Sequence, residues 1–252
     1  MRIEKPMASL VPSLRRLWHE AFGDGERFLD CFFGTSFSPD RCRCVTMDGE
    51  AVAALYWFDG LCEGRPVAYL YAIATAKTHR GQGLCRTLMA QTHKELSDKG
   101  YACALLVPGE PSLFDFYARM GYVPCGSIRE FSCVASGEAV ALSAMTPAEY
   151  AARRRALLPV GGVIQEGESM AFLAAQAELF GGEDFILAAR REGDSLFGIE
   201  LLGNAERAPA ILSRLGYTEG RFRTVGEGSP FAMYLPLCED APMPTYFGLA
   251  FD

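Results

Sequence analysis

The sequence predicts an α/β fold (α+β, with a mixed sheet), and three observations support this class. A β-like run at residues 69–75 leads through a glycine-containing loop into an amphipathic helix at residues 83–99. Another strand is predicted at residues 102–107, and a short helix at residues 112–120 follows it. Strands that alternate with helices in this order are typical of α/β domains, so we expect a sheet that carries helices on its faces.

The elements around this core also follow from local patterns. Apolar residues recur at helical spacing between residues 9 and 21 and again around Phe32, which predicts two helices. The dipeptide Asp48-Gly49 is a strong hairpin signal. Strands are predicted near residues 2–4, 41–48, 51–61, 66–75, 122–124 and 128–134.

A second unit is predicted after a linker-like stretch at residues 135–138. Thr146 and Glu149 form a capping box around a proline at the first helical position, which marks the start of a helix. We therefore expect one domain at residues 1–135 and a second, smaller α/β domain at residues 140–252. In the second domain we predict helices at 169–180 and 205–215, a hairpin turn at Gly193-Asp194 and strands at 231–237 and 246–251.

The loop between the first core strand and its helix has the composition of an anion site. It reads Arg80-Gly81-Gln82-Gly83-Leu84-Cys85. The two glycines let the backbone bend tightly and bring amide N–H groups close to a ligand. The unpaired amides of the first helical turn, the helix dipole and the Arg80 guanidinium all favour a group such as pyrophosphate. Tyr117 comes 34 residues after Gly83, and that pairing makes the loop more specific than its glycines alone.

This combination of motifs resembles the GNAT superfamily of acyl-CoA-dependent N-acetyltransferases. The resemblance is carried by the strand, the loop at residues 80–85, the helix, the next strand and the run Phe116-Tyr117-x-x-x-Gly121-Tyr122. The order of elements is similar throughout residues 1–135. The resemblance implies a GNAT-like fold, a catalytic domain in the first half, acetyl-CoA or another short acyl-CoA as donor, and an amine as acceptor.

The resemblance also implies roles for individual residues. The pyrophosphate of the cofactor would be held by Arg80, Gly81, Gln82, Gly83, Leu84 and Cys85. Ile73 and Thr75 would offer backbone groups to the pantetheine arm, and Ser112 would be a nearby polar contact. Tyr117 would be the general acid, because a phenol with a pKa of about 10 stays protonated at neutral pH and can donate to the departing thiolate. Amides near Thr75 would stabilise the oxyanion of the tetrahedral intermediate.

The sequence does not identify a general base. Four carboxylates cluster on the helix pair that would border the acceptor, and they either bind a cationic amine or form a solvated surface. They are Glu20, Asp24, Glu26 and Asp30. We expect His79 to face phosphate or solvent and His93 to be exposed on its helix. Aromatic residues at 56–58 either border the acceptor channel or belong to the core.

Two other functions stay open at this point. The chain is alternatively a catalytically inactive CoA-binding or interaction module, with Tyr117 as a core aromatic residue. Three departures from the family pattern favour that reading: Lys77-Thr78 replaces Pro-Glu, Glu110 replaces an asparagine, and Cys85 stands where a small residue is usual. A nucleotide-binding α/β protein is a weaker alternative, because the loop lacks both the Lys-Ser/Thr ending and the three-glycine fingerprint.

The origin of the second half is also open. The run Leu201-Leu202 followed by residues 211–217 resembles Leu105-Leu106 followed by residues 116–122. A degenerate second GNAT-like copy and an unrelated strand-helix-strand unit explain this similarity about equally well.

Composition narrows the partners and the compartment. The formal charge of −7 and the lack of a basic stripe argue against nucleic acid, and Arg153-Arg154-Arg155 is expected to be a solvated helix face. No apolar run approaches the ~20 residues of a membrane span, and we expect a cytoplasmic protein without a secretory signal. The nine scattered cysteines predict reduced thiols and no metal site. The acceptor, the acyl length and the oligomeric state are not predicted.

Overall fold

In the computed structural model, which describes residues 2–251, the first half of the chain alternates between strands and helices. Its strands are β1 (Arg2–Glu4), β2 (Cys42–Met47), β3 (Glu50–Cys62), β4 (Arg65–Thr75), β5 (Cys103–Leu106) and β6 (Val123–Val134). Its helices are α1 (Val11–Phe22), α2 (Glu26–Thr35), α3 (Leu84–Asp98) and α4 (Ser112–Ala118). These elements confirm the predicted α/β class and order.

The second half has shorter strands and three helices. The strands are β7 (Ser143–Ala144), β8 (Ile164–Gln165), β9 (Glu178–Gly181), β10 (Phe185–Glu192), β11 (Ser195–Gly203), β12 (Glu219–Val225) and β13 (Ser229–Pro236). The helices are α5 (Pro147–Leu157), α6 (Glu168–Gln176) and α7 (Ala208–Leu215). The predicted capping box is present, because the Thr146 hydroxyl accepts from the Glu149 amide and Glu149 accepts from the Thr146 amide.

One mixed sheet runs through both halves. The strand order is β1-β2-β3-β4-β5-β13-β6-β12-β11-β10-β9-β7, and β8 pairs with β3 outside this path. Strands β4 and β5 are parallel, as are β11 and β12, and each of these pairs is joined through a helix. Strand β13, from the end of the chain, lies between β5 and β6 and is antiparallel to both. The two halves therefore share sheet neighbours.

The two strands predicted near residues 122–124 and 128–134 are one strand, β6. Its first part pairs with β13 and its second part pairs with β12, and both ladders include Ile128. The turn between β12 and β13 passes closely over Ile128, where a Cβ on Gly228 would lie 2.1 Å from the Ile128 carbonyl oxygen. Gly126 separates the two predicted strands in the sequence, and it lies within β6 with a φ of 58°.

Two further predictions in the second half are wrong in part. The helix expected to continue to residue 180 ends at Gln176, because residues 178–181 form β9 between β10 and β7. The run at residues 246–251 is not a strand beyond one bridge between Gly162 and Tyr246.

The core has three parts. Helices α1 and α2 pack an aromatic cluster around Trp18 and Phe32 on one face of the sheet. On the other face, Leu88 of α3 packs with Tyr117 of α4 and with Met233 of β13. A third cluster lies in the second half around α7, β11 and β12. No helix within residues 2–251 is long and apolar enough to cross a membrane.

The arginine triplet on α5 does not form a solvated face as a whole. The Arg154 side chain is 1% exposed and forms an ion pair with the fully buried Glu200. Arg155 is exposed and pairs with Glu166, and Arg153 donates to the Glu183 carbonyl oxygen. The prediction was wrong for Arg154 because its partner is 46 residues away and left no local signal.

Candidate functional site

The site is a cleft between two strands that diverge. The parallel ladder of β4 and β5 runs from the Val67–Cys103 pair to the Tyr69–Leu105 pair. Beyond this ladder, residues 70–73 of β4 and residues 106–109 line opposite parts of a cleft of about 1030 Å³. A gap between parallel strands leaves backbone groups of both strands free to meet an extended ligand arm.

A bulge in β4 shapes the same region. In the ladder with β3, the pair Ala54–Ala74 is followed by Tyr56–Tyr71, so two residues of β4 oppose one residue of β3. One of these two residues, Ala72, has a φ of 48°, which is unusual for a residue with a side chain. Bulges bend a strand and redirect its side chains, and they are common beside functional sites.

The predicted phosphate loop adopts the conformation that its glycines allow. Gly81 and Gly83 both have a φ of 77°, in the left-handed region, and Gly83 directly precedes α3. A Cβ placed at either glycine would meet no atom within 4 Å, so this loop surface is open. The first amides of α3 have no partner within the helix. The Arg80 guanidinium donates from Nε to the Thr75 carbonyl oxygen at 3.1 Å, which ties the loop to β4.

The other predicted cofactor residues lie around this loop. Ile73 lines the cleft, and Thr75 is the last residue of β4. The Cys85 thiol packs inward, with its sulfur 3.8 Å from the Met89 sulfur, and burial raises the pKa of Cys85 to about 11. Ser112 begins α4 and donates to the Glu110 carboxylate at 2.6 Å. Leu84 is buried under the loop, and Gln82 is exposed.

Tyr117 lies on α4 and lines the cleft together with Leu113 and Phe114. Its side chain is 7% exposed, and its hydroxyl has no hydrogen-bond partner among residues 2–251. Burial, with a smaller contribution from Cys85, raises the pKa of Tyr117 well above its usual value. The phenol is therefore protonated at neutral pH and faces the cleft without a protein partner.

The four clustered carboxylates are separated by the fold. Glu26 and Asp30 both form ion pairs with Arg15 at the surface. Glu20 accepts the Lys77 amide at 2.8 Å and thus joins α1 to the start of the phosphate loop. Asp24 lines the cleft.

Asp24 has a fixed position in that cleft. Its carboxylate accepts the indole N–H of Trp18 at 2.8 Å. Trp18 itself is 2% exposed and packs against Phe32 and Tyr56, so the indole is held rigidly. A carboxylate held in this way can meet an ammonium group without first losing side-chain freedom.

The histidines differ from the expected positions in one case. His93 is half-buried rather than exposed, and its Nε2 lies 2.7 Å from the Tyr122 hydroxyl. Burial lowers the pKa of His93 to about 4. His79 lies in the phosphate loop region with its Nδ1 2.9 Å from the Thr78 hydroxyl. Neither histidine lines the cleft.

Aromatic side chains form a large part of the cleft wall. The aromatic run at residues 56–58 is buried in the core and does not line the cleft, which agrees with the second of the two alternatives given for it. Sequence reasoning missed the aromatic residues that do line it, because they come from five distant segments. They are Trp18, Phe22, Phe28, Tyr69, Tyr71, Phe114, Phe231 and Phe251. The alternation of Tyr69 and Tyr71 on β4 was the one local signal available.

Comparisons with known proteins agree with this geometry. Residues 2–125 match the family model described as an acetyltransferase (GNAT) domain. The chain is also 37% identical over 67 residues to the N-acetyltransferase Eis of Mycobacterium tuberculosis strain H37Ra. That match covers 27% of this chain and only 16% of the relative.

Solved structures resemble the chain over most of its length. A GCN5-related N-acetyltransferase from Kribbella flavida has a TM-score of 0.72 at 20% identity, covering 94% of this chain and 72% of that chain. A tandem GNAT protein from the clavulanic acid biosynthesis pathway has a TM-score of 0.59 at 13% identity, covering 95% and 100%. At such identities the likeness concerns the fold. Residues 2–125 therefore carry a GNAT acetyltransferase domain.

Proposed function

We propose that the protein is an N-acyltransferase that transfers an acetyl or other short acyl group from acyl-CoA to an amine. One observation carries this proposal. Tyr117 stands in the wall of the cleft, and β4 leads from the cleft-lining Ile73 to Thr75, whose carbonyl oxygen accepts from Arg80 of the open phosphate loop. The match of residues 2–125 to the family model adds the reaction class.

The first half of the chain has the groups needed to hold coenzyme A. Amides that follow Arg80 and the N-terminus of α3 would bind the pyrophosphate, with the Arg80 cation nearby. The freed backbone at Ile73 and Thr75 would pair with the amide groups of the pantetheine arm. Ser112, at the start of α4, is a further polar contact. Because Cys85 packs inward, its sulfur leaves the loop surface clear for phosphate.

The chemistry needs a proton donor at the leaving sulfur. The amine attacks the thioester carbonyl, the oxyanion is stabilised by amides near the β4 bulge, and the bond between carbon and sulfur then breaks. Tyr117 donates its hydroxyl proton to the developing thiolate. Burial keeps that proton on Tyr117 at neutral pH, so the phenol is in the form that can donate. No covalent enzyme intermediate is required, since no cysteine or serine that lines the cleft is paired with a base among residues 2–251.

The acceptor side would bind a cationic amine. Asp24 is placed to hold the ammonium form at the aromatic part of the cleft, where its carboxylate is already fixed by Trp18. The amine must lose a proton before attack, and water in the cleft is the simplest route. The nine free thiols fit a reducing compartment, and we place the protein in the cytoplasm on that ground.

The rival function is a CoA-binding module without catalysis, and one experiment separates the two. Acetyl-CoA is incubated with spermidine, lysine, 2-phenylethylamine and tryptamine, and acetylated amine is measured by mass spectrometry. A thiol reagent is unsuitable because the protein has nine free cysteines. Turnover of any of these amines supports the enzyme, whereas CoA binding without product on the whole panel supports the binding module.

Binding of the cofactor is tested separately. Coenzyme A at about 100 times its Kd should stabilise the protein by about 2.7 kcal/mol. For a chain of this size that is a Tm increase of roughly 5–10 °C. Pantetheine, which lacks the pyrophosphate, is the matched control and should raise the Tm much less. An unchanged Tm with coenzyme A would contradict both the N-acyltransferase and the CoA-binding module, because each requires the cofactor to bind.

A further inference from the structure

The last described residues of the chain, 245–251, form an irregular segment that we call the C-terminal strap. From Tyr246 onward its side chains are almost fully buried, with Tyr246 at 1%, Leu249 at 0% and Phe251 at 6% exposure. Irregular segments normally lie at the surface because their backbone groups have no ladder partners. A buried strap therefore needs other groups to satisfy its carbonyl oxygens.

Side chains from elsewhere in the protein supply those partners. Gln165 of β8 donates to the Leu249 carbonyl oxygen at 2.9 Å. Two tyrosines of β4 continue the series, since the Tyr69 hydroxyl donates to the Ala250 carbonyl oxygen and the Tyr71 hydroxyl donates to the Phe251 carbonyl oxygen at 2.9 Å. Side chains, and not a neighbouring strand, therefore bind the carbonyl oxygens of the strap. This is why the strand-like sequence at residues 246–251 does not form a strand.

The other end of the strap is held by a buried charge cluster. The Tyr246 hydroxyl donates to the Glu200 carboxylate at 3.1 Å. That carboxylate also accepts two bonds from the Arg154 guanidinium, at 2.7 and 2.9 Å, and one from the Tyr150 hydroxyl at 3.3 Å. Glu200 and Arg154 are 0% and 1% exposed, so the pair is complete within the core.

The backbone of the strap at Gly248 lies in close contact with this cluster. A Cβ on Gly248 would lie 2.3 Å from a Glu200 carboxylate oxygen and 2.2 Å from the Tyr246 hydroxyl. A side chain at this position would displace the Glu200 carboxylate or the Tyr246 hydroxyl, so glycine lets the strap lie directly against the cluster.

Beyond the cluster the strap enters the cleft. Ala250 and Phe251 line it on the side of Tyr69 and Tyr71. The Phe251 ring packs 4.9 Å from the Phe58 ring centroid. Phe251 also has a φ of 60°, a strained value for a bulky residue, which persists only where surrounding contacts impose it.

We propose that Glu200 and Tyr246 are positioning residues for the acceptor site. They hold the C-terminal strap so that Phe251 forms a rigid wall of the cleft, and they act through the strap without touching substrate. The inference rests on the proposed function, because it concerns the acceptor half of the same cleft. It assigns acceptor selectivity to a charge cluster in the second half of the chain.

The chain offers a matched pair of variants. Tyr246→Phe and Tyr150→Phe each remove one hydroxyl from Glu200, but only Tyr246 belongs to the strap. We expect both variants to lose similar stability. Only Tyr246→Phe should raise the KM of the best panel amine, at least fivefold, with kcat and the acetyl-CoA KM within twofold of wild type. It should also change the ratio of kcat/KM for tryptamine to that for spermidine at least threefold.

Hydrogen exchange provides a readout that needs no turnover. Amides in residues 247–251 should exchange at least tenfold faster in Tyr246→Phe than in wild type, and Tyr150→Phe should leave them within twofold. Should Tyr246→Phe not fold, Gln165→Met removes another strap contact outside the cleft and is judged by the same criteria.

The outcomes separate this inference from the proposed function. Equal effects of Tyr246→Phe and Tyr150→Phe on the amine KM and on strap exchange would overturn the inference while wild-type turnover still supported the enzyme. If wild type acetylates none of the four amines, the proposed function fails. Faster strap exchange in Tyr246→Phe alone would then still support the anchoring of the strap, and uniform exchange would overturn it.

Discussion

Tyr117 combines two properties that rarely occur together. It is almost fully buried, yet its hydroxyl has no hydrogen-bond partner among residues 2–251. A buried hydroxyl normally finds a partner, but the Tyr117 hydroxyl keeps contact with the open cleft, unlike the fully enclosed and unpaired hydroxyl of Tyr56. The adjacent cleft explains the exception, since a ligand in the cleft would supply the missing acceptor. Its neighbour Tyr122 follows the ordinary rule and pairs with His93.

The first prediction uses this contrast. Tyr117→Phe should lower kcat by about 10²- to 10⁴-fold, the usual contribution of a general acid, and should leave the Kd for coenzyme A within threefold. Tyr122→Phe removes a neighbouring phenol that does not line the cleft, so its kcat should stay within threefold of wild type. Steady-state kinetics and calorimetry measure the two quantities. Equal losses of kcat in both variants would assign Tyr117 a packing role.

Asp24 carries the second prediction, which concerns acceptor binding. Asp24→Asn keeps the size of the side chain and removes its charge, so a charge-assisted bond worth about 1.5–3 kcal/mol is lost. The KM for a cationic amine should rise about tenfold or more, and the KM for acetyl-CoA should not change. Glu26→Gln is the control, because Glu26 pairs with Arg15 at the surface. A change in the acetyl-CoA KM with either variant would contradict this division of the cleft.

At the scale of elements, helix α3 begins at the phosphate loop and carries His93, whose pKa is shifted by burial. His93 lies on α3 and contacts Tyr122, which follows α4, so the pair bridges the two helices beside the site. Burial lowers the pKa of His93 to about 4, whereas in the unfolded chain it has the usual value of about 6.5. Between these values the unfolded chain binds a proton that the folded protein does not. The free energy of unfolding therefore decreases as the pH falls from about 6.5 to about 4.

The third prediction concerns the contribution of His93 to the pH dependence of stability. His93→Gln keeps a polar group near Tyr122 and does not titrate, so its Tm should fall less than that of wild type between pH 7.5 and pH 4.5. Thermal unfolding at constant ionic strength measures the difference. His79→Gln serves as control and should retain the wild-type dependence. Parallel curves for wild type and His93→Gln would show that His93 is protonated freely in the folded protein.

Elements with local signals were predictable from the sequence, and elements with distant partners were not. The loop at residues 80–85 and the turn at Asp48-Gly49 need backbone conformations that glycine supplies, so both are readable from a few residues. Strand β9 exists because β10 and β7 flank it, and its sequence alone continued the pattern of α6. The acceptor wall was hidden for the same reason, since Trp18 and Phe251 come to line one cleft only in the folded chain.

At the scale of the whole molecule, the two halves depend on each other for sheet pairing. Strand β13 pairs with β5 through residues Met233 to Pro236 and also pairs with the first part of β6. Met233 packs in the same cluster as Tyr117 and Leu88. The predicted division at residue 135 stays a prediction, and β13 determines how it should be tested. The second half, whatever its origin, completes the sheet on which Tyr117 packs.

The last prediction follows from this shared sheet. A fragment of residues 1–135 lacks β12 and β13, so β6 has no neighbour and β5 has an unpaired edge. Unpaired strand edges and an open core favour aggregation over folding. We expect the fragment to show no cooperative thermal transition and no Tm increase with coenzyme A, whereas the full chain unfolds in a single transition. Circular dichroism in the near ultraviolet and thermal melts measure both.

Co-expression of residues 1–135 and 136–252 as separate chains is the matched control for this fragment. The second chain restores β13 without the covalent link, so the pair should recover both the transition and the response to coenzyme A. Recovery of the transition would show that the fragment unfolds because β13 is missing, and not because the chain is divided after residue 135. A cooperative thermal transition for residues 1–135 alone would mean that the first half forms a stable sheet without β13. The packing of Tyr117 would then not depend on Met233.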